Sequence, residues 1–294
     1  MTIPTAGDLL NALITGVLLG GVFAITALGL SLVFGVMRLV NIVHGELIVL
    51  GAYLALYLAR HAGIDPLLSM LIVAPLLFLF ALPLFRVLLE PLMAKGPEPA
   101  LLTTFALSVI GQNLFILIWS GDTQSLQASY ATASLSLGSV RIPAMYLISF
   151  AIALLLCGGV HLMLQRTGLG REIRASSEDS ATAAGLGVNV TRVRLFVYGI
   201  AAACAAVGGV LVGLTFDFTP TTGLTYLLTG FAVVVLGGLG SVKGTLLGAI
   251  LLGVVESVGA SFFGDGYRDL IGFVAFLIVL SLRPQGLFGR VQLS

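Results

Sequence analysis

The sequence predicts an all-α fold, a polytopic transmembrane bundle of about eight to nine spans, some of them discontinuous or re-entrant. Three observations carry that expectation. Of the 294 residues, 58% are hydrophobic and 9% are charged, whereas a soluble domain carries roughly 25% charged residues. The apolar residues collect in runs of about 20, the length a helix needs to cross a bilayer. Those runs are apolar all round instead of along one stripe, the pattern of a helix with no water-facing side.

Taken in order, the candidate spans cover 9–35, 42–59, 66–85, 100–120, 143–165, 193–215, 223–242, 244–263 and 268–283. A polar, breaker-rich loop containing Pro91, Lys95, Gly96, Pro97 and Pro99 separates the third from the fourth. The seventh is the weakest, because Gly237, Gly238 and Gly240 interrupt it, with Gly244 following. Lys and Arg favour the cytoplasmic side. With the N-terminus outside and all nine runs crossing, every one of the 14 Lys and Arg residues except Arg60, Arg141 and Arg268 falls inside. That places the N-terminus in the periplasm and the C-terminus in the cytoplasm of a multi-pass inner-membrane protein. Such ends need an odd span count, met by nine crossings, or by eight with one re-entrant segment and a shifted end.

Residues 1–294 read as one membrane domain, without a second soluble unit. The start has Asp8 and no Lys or Arg ahead of its first apolar run, unlike a cleavable signal peptide. Cys157 and Cys204 lie singly in apolar runs and make no disulfide framework. The net charge of +1 argues neither for nor against nucleic acid, and no nucleic-acid partner is expected. Small residues recur at helical spacing, as in Gly16, Gly20, Ala24, Ala27 and Ser31, and in Ala202, Ala206, Gly209 and Gly213. Such stripes let helices approach closely in lipid.

Polar groups inside apolar runs are the candidate functional residues. Asn41, His44 and Glu46 open the second span, and on a regular helix His44 and Glu46 point about 200° apart. Two readings stand: an interfacial polar cluster near the cytoplasmic surface, or a broken helix beside a substrate path or gate, with Gly45 permitting the irregular backbone. Gly51 shares the His44 side. Glu256 lies about 12 residues, or about 18 Å, into its span. Its carboxylate is costly there unless paired or wetted, so it serves either a structural hydrogen bond or the translocation path. Gln112, Asn113 and His161 are expected to make packing hydrogen bonds.

The hydrophilic segment 166–192 is basic at its start. Ser176 with Asp179 fits a capping box, alanines follow to about Leu186, and Gly187 suits a C-terminal stop. This predicts an amphipathic helix of about ten residues on the inner face, marginal alone and ordered by docking into a partner's groove. No P-loop, zinc motif or nucleophile elbow occurs, so no catalytic residue, metal site or cofactor is expected, and any ATP must be hydrolysed by another chain.

Asn41-Ile-Val-His44-Gly45-Glu46 with Gly51-Ala52-Tyr53 resembles the H-type (LivH-like) permease of high-affinity branched-chain amino-acid ABC importers. Gly170-Arg171-x-x-Arg174-Ala175 with Glu178, Asp179, Ala183 and Gly187 is similar to that family's cytoplasmic coupling loop. Gly237-Gly238-x-Gly240-Ser241-x-x-Gly244 and Arg283-Pro284-x-Gly286-Leu287-Phe288-Gly289 are similar to its later motifs. The resemblance implies a second related permease (M-type), two cytoplasmic ATPases docked on the helix around Glu178–Leu186, and a periplasmic binding protein delivering Leu, Ile or Val. The alternative is a permease or passive channel for another small polar solute, such as urea or a short amide.

Overall fold

Each of the nine apolar runs forms a helix in the computed structural model, which describes residues 4–137, 140–283 and 286–287. Of the expected terminal motif, Pro284, Phe288 and Gly289 lie outside the described residues, as do Arg290 and the C-terminus.

Helix α1 (Ala6–Met37) opens with a reciprocal capping box between Thr5 and Asp8 and ends at Arg38 in the left-handed conformation. After a short extended return comes α2 (His44–Ala62). Helix α3 (Pro66–Leu84) is capped by the Asp65 carboxylate and carries Pro66 in its first turn, where a missing N–H costs nothing. It runs through a π-helical turn (Phe85–Leu89) into α4 (Glu90–Met93), one apolar stretch of 28 residues. Next come α5 (Pro97–Trp119) and α6 (Ala144–Arg166). The hydrophilic stretch between them holds a two-stranded antiparallel hairpin, β1 (Ser134–Leu137) and β2 (Val140–Pro143), an element the helical reading of the sequence lacked. After α7 (Gly168–Glu178) and α8 (Ser180–Gly185) come α9 (Val190–Thr215), α10 (Gly223–Gly237), α11 (Val242–Phe263) and α12 (Arg268–Leu282).

Six of these stretches are long and apolar enough to cross a membrane: α1, α3 with α4, α5, α6, α9 and α11. Helices α1 and α9 form the centre. Every residue from Ala24 to Val33 and from Cys204 to Leu214 is buried. The outer surfaces of α3, α5 and α6 stay apolar and exposed, with Leu71, Leu117 and Leu155 each at least 75% accessible, as expected of lipid-facing or partner-facing helices.

The two halves of the chain follow one route in opposite senses. In the first half a long central helix (α1) leads through an extended segment to a helix that starts inside the bundle (α2), then to α3. In the second half α9, residues 216–222, α10 and α11 repeat that order. The packing exchanges accordingly: α1 lies along α11 and α9 along α3, while α10 lies against α1 and α2 against α9. Inverted repeats of this kind, with broken helices at their meeting point, are a recurring architecture of membrane transporters.

Candidate functional site

Helix α2 begins deep in the bundle, and the geometry of its first turn defines the site. His44 Nε2 donates to the Thr26 carbonyl at 2.8 Å. Thr26 precedes the end of α1 by eleven residues, so this contact lies about 16 Å in from that end at 1.5 Å per residue. Glu46 Oε1 accepts from Ser108 Oγ at 3.1 Å, and Ser108 stands midway along α5. The cluster is therefore at mid-depth, not at the interface. The helix is regular from His44 onward, so its two polar side chains do point apart: His44 to α1, Glu46 to α5 and α10. Gly45 supplies close approach, since a Cβ there would run into the Gly223 carbonyl at the start of α10.

Helix α10 has 15 residues, about 22 Å, too short for a ~30 Å hydrocarbon core. The non-helical residues 216–222 lead into it from the end of α9. Phe218 and Gln124 exchange backbone hydrogen bonds at 2.8 Å each, holding that segment to the loop between α5 and α6. Thus α2 and α10 both begin within the bundle and run to opposite faces, with their N-termini meeting at Gly45 and Gly223. The Glu46 carboxylate lies over the α10 terminus, 2.8 Å from where a Gly223 Cβ would stand. Glu46 is 4% exposed and its Oε2 has no hydrogen-bond partner among the described residues. Two turns along α2, Tyr53 stacks on Trp119 at 4.7 Å and meets the Phe218 ring edge-on at 5.1 Å. This aromatic group closes the space between Glu46 and the face where α1 begins.

The other expected residues are distributed more widely. Asn41 is buried in the return before α2, its side-chain amide beside the Tyr198 hydroxyl but outside hydrogen-bond geometry. Gly51 packs on the Ala206 backbone of α9, a Cβ there standing 2.8 Å from the Ala206 Cα. Gly237 ends α10, Gly238 and Gly240 take positive φ in the turn to α11, and Gly244 sits within the first turn of α11 against Gly237. These glycines form a tight helix turn rather than a break within a span. Glu256 is 4% exposed, its Oε1 lying against Gly272 of α12. The cavity it shares with Thr229 and Asp269 measures about 10 Å³, at the lower limit for one water. Asn113 bonds back to Val109 of its own helix, with Nδ2 donating to the carbonyl at 2.8 Å.

Segment 166–192 differs in detail from the sequence expectation. Its basic start is itself helical (α7), burying Gly170, Ile173 and Ser176 and exposing Arg171, Arg174, Ala175 and Glu178. Ser176 points inward, so it caps nothing. Asp179 breaks the helix and caps α8, accepting from the Ala181 amide at 2.9 Å and from the Thr182 hydroxyl. Those bonds, the Thr182 hydroxyl first, hold the Asp179 carboxyl below its usual pKa. Ala183 faces inward, Leu186 is 82% exposed, and Gly187 (φ 89°) ends the helix. On the opposite face, a recess of about 920 Å³ opens between residues 125–132 and the end of α9.

Half-helices meeting at mid-depth and a paired amphipathic helix at one face suit a transport subunit, and the comparisons decide it. The family described as branched-chain amino acid transport system / permease component matches residues 12–280. The chain belongs to this family. The permease is 31% identical to the high-affinity branched-chain amino acid transport system permease protein BraD of Pseudomonas aeruginosa, over 97% of each chain. It is 28% identical to the corresponding LivH protein of Escherichia coli, again over 97% of each. Against LivM of Salmonella typhimurium it is 28% identical over 90% of its own length and 67% of the relative's, in keeping with the longer M-type chain. No solved structure matches the permease.

Proposed function

We propose that this permease forms, with a related second permease, the membrane path of an ATP-driven importer of branched-chain amino acids in the bacterial inner membrane. The observation that carries the ATP-driven reading is the α7–α8 pair. Its buried edge ties it to the bundle, while Arg171, Arg174, Glu178 and Leu186 are all exposed, as a helix-in-groove ligand for a soluble ATPase requires. Its face is also the basic one. Arg38, Arg166 and Lys243 all lie at helix ends on the side where α1 finishes, so that side is cytoplasmic by the positive-inside rule. The recess beside α9 then opens to the periplasm, where a loaded binding protein would seat. The relatives named for branched-chain amino acids supply the substrate class.

The test is uptake of labelled leucine into vesicles holding this permease, its partner permease, the two ATPases and the binding protein. Arg171→Glu with Glu178→Arg is expected to keep the assembly in the membrane yet separate ATP hydrolysis from uptake. Uptake that survives ATP depletion would replace this reading with a passive channel.

A further inference from the structure

The geometry points to the α2–α10 junction as a subsite for a zwitterionic α-amino acid, in which Glu46 receives the ammonium group and the first backbone amides of α10 receive the carboxylate. This inference rests on the amino-acid reading above and specifies where in this chain the substrate is held.

Two observations carry it. The start of α10 has no side-chain cap: Thr222 accepts no amide of the first turn, and its hydroxyl instead donates back to the Thr219 carbonyl at 2.8 Å. An uncapped helix N-terminus holds unpaired N–H groups and about half a positive charge, the features that bind a carboxylate. Beside it stands a buried side chain of opposite sign with an unused acceptor, Glu46 Oε2. Charges of both signs, one positive helix end and one carboxylate, thus lie within a few ångströms at mid-depth, matching the two charges of an amino acid. Neither charge is adequately paired now. The Glu46 carboxylate rests over the helix end and holds one hydrogen bond, from Ser108. Binding would move the carboxylate from the helix end to the ammonium, and the substrate carboxylate would take its place. Because both contacts are to the amino-acid backbone, the subsite would not distinguish leucine from isoleucine or valine.

The test uses the complete importer in vesicles, comparing wild type with Glu46→Gln and Glu46→Asp. Two readouts are followed: leucine uptake, and stimulation of ATP hydrolysis by the loaded binding protein. Replacing the carboxylate by an amide removes a charge-assisted contact, so uptake by Glu46→Gln is expected to fall by about ten- to a hundredfold. ATPase stimulation should persist, and Glu46→Asp should recover part of the uptake. Near-wild-type uptake by Glu46→Gln overturns the subsite, and so does parallel loss of uptake and stimulation, which marks a structural role. If the wild-type importer takes up no leucine, the proposed function fails and takes this inference with it. If the wild type transports leucine and Glu46→Gln does so equally, only the subsite falls.

Discussion

Gly45→Ala places one methyl group at the point where the two half-helices touch. Built on the existing backbone, the new Cβ stands 2.7 Å from the Gly223 carbonyl carbon and 3.2 Å from Leu227 Cβ, with the Gly223 oxygen closer still. Carbon pairs are comfortable at about 3.5–4.0 Å, so the two chains must part by about 1 Å. The obstacle is backbone, which no rotamer change relieves, and α10 is held from behind by α1 and α11. Overpacking of this kind costs about 1–3 kcal/mol, which for a chain of this size corresponds to roughly 2–5 °C in Tm. Thermal unfolding of the purified permease in detergent measures it. Gly159→Ala in α6 is the control, because nothing lies within 4 Å of its added Cβ, and its Tm should stay at or above wild type. Equal Tm values for Gly45→Ala and wild type would refute the claim that these N-termini are in contact.

Asp179→Ala removes the α8 cap, and hydrogen exchange at residues 180–185 should rise while that of α9 stays unchanged. The Asp179 carboxyl is depressed by its Thr182 and Ala181 bonds. Its cap is therefore fully present above the unfolded value of about 3.9 and lost as pH falls through the lower folded value, so the protection of α8 amides relative to their intrinsic exchange rates should be level at neutral pH and fall only in strong acid. Tyr130 donates to both carboxylate oxygens of Asp65, at 2.8 and 2.9 Å. Burial first, then the Asp65 bond, push its hydroxyl up to about 12, so the late part of an absorbance titration, above about pH 11, should lose one tyrosine equivalent in Tyr130→Phe. Glu256→Gln keeps the shape of a buried acid whose Oε2 has no hydrogen-bond partner among the described residues and lifts the cost of its charge; its Tm should equal or exceed wild type, and a clear drop would mean that the ionised carboxylate is paired.

The spans were legible because the feature that defines them, an apolar run of bilayer length, is local. Even the short α10 was marked by its glycines. The depth at which α2 begins was not legible. It depends on how residues 38–43 fold back beside α1, and neither Thr26 nor Ser108 carries any sign in the sequence that it would meet His44 or Glu46. The pairing of Gly45 with Gly223 joins positions far apart in the chain, and many glycines at helical spacing could have served. At 166–192 the chain offered two caps within four residues. The carboxylate of Asp179 is the stronger acceptor and stands outside, whereas Ser176 follows Gly170 and Ile173 at three-residue intervals on the buried edge of α7. That periodicity was present in the sequence and identified the better helix.

The inverted halves are not mechanically equal. Where α1 crosses α11, main chain meets main chain: a Cβ on Gly16 would reach the Val254 Cα at 2.7 Å, and one on Gly20 the Ile250 Cα at 2.6 Å. The corresponding contact in the other half is softer, since Gly199 of α9 faces the Phe78 ring and a Leu82 methyl. Interlocked backbones resist sliding, whereas a ring and a methyl can change rotamer as their helix shifts. Any rearrangement that reverses which side of the membrane the centre faces should therefore begin along α3 and α9, with α1 and α11 travelling as one piece.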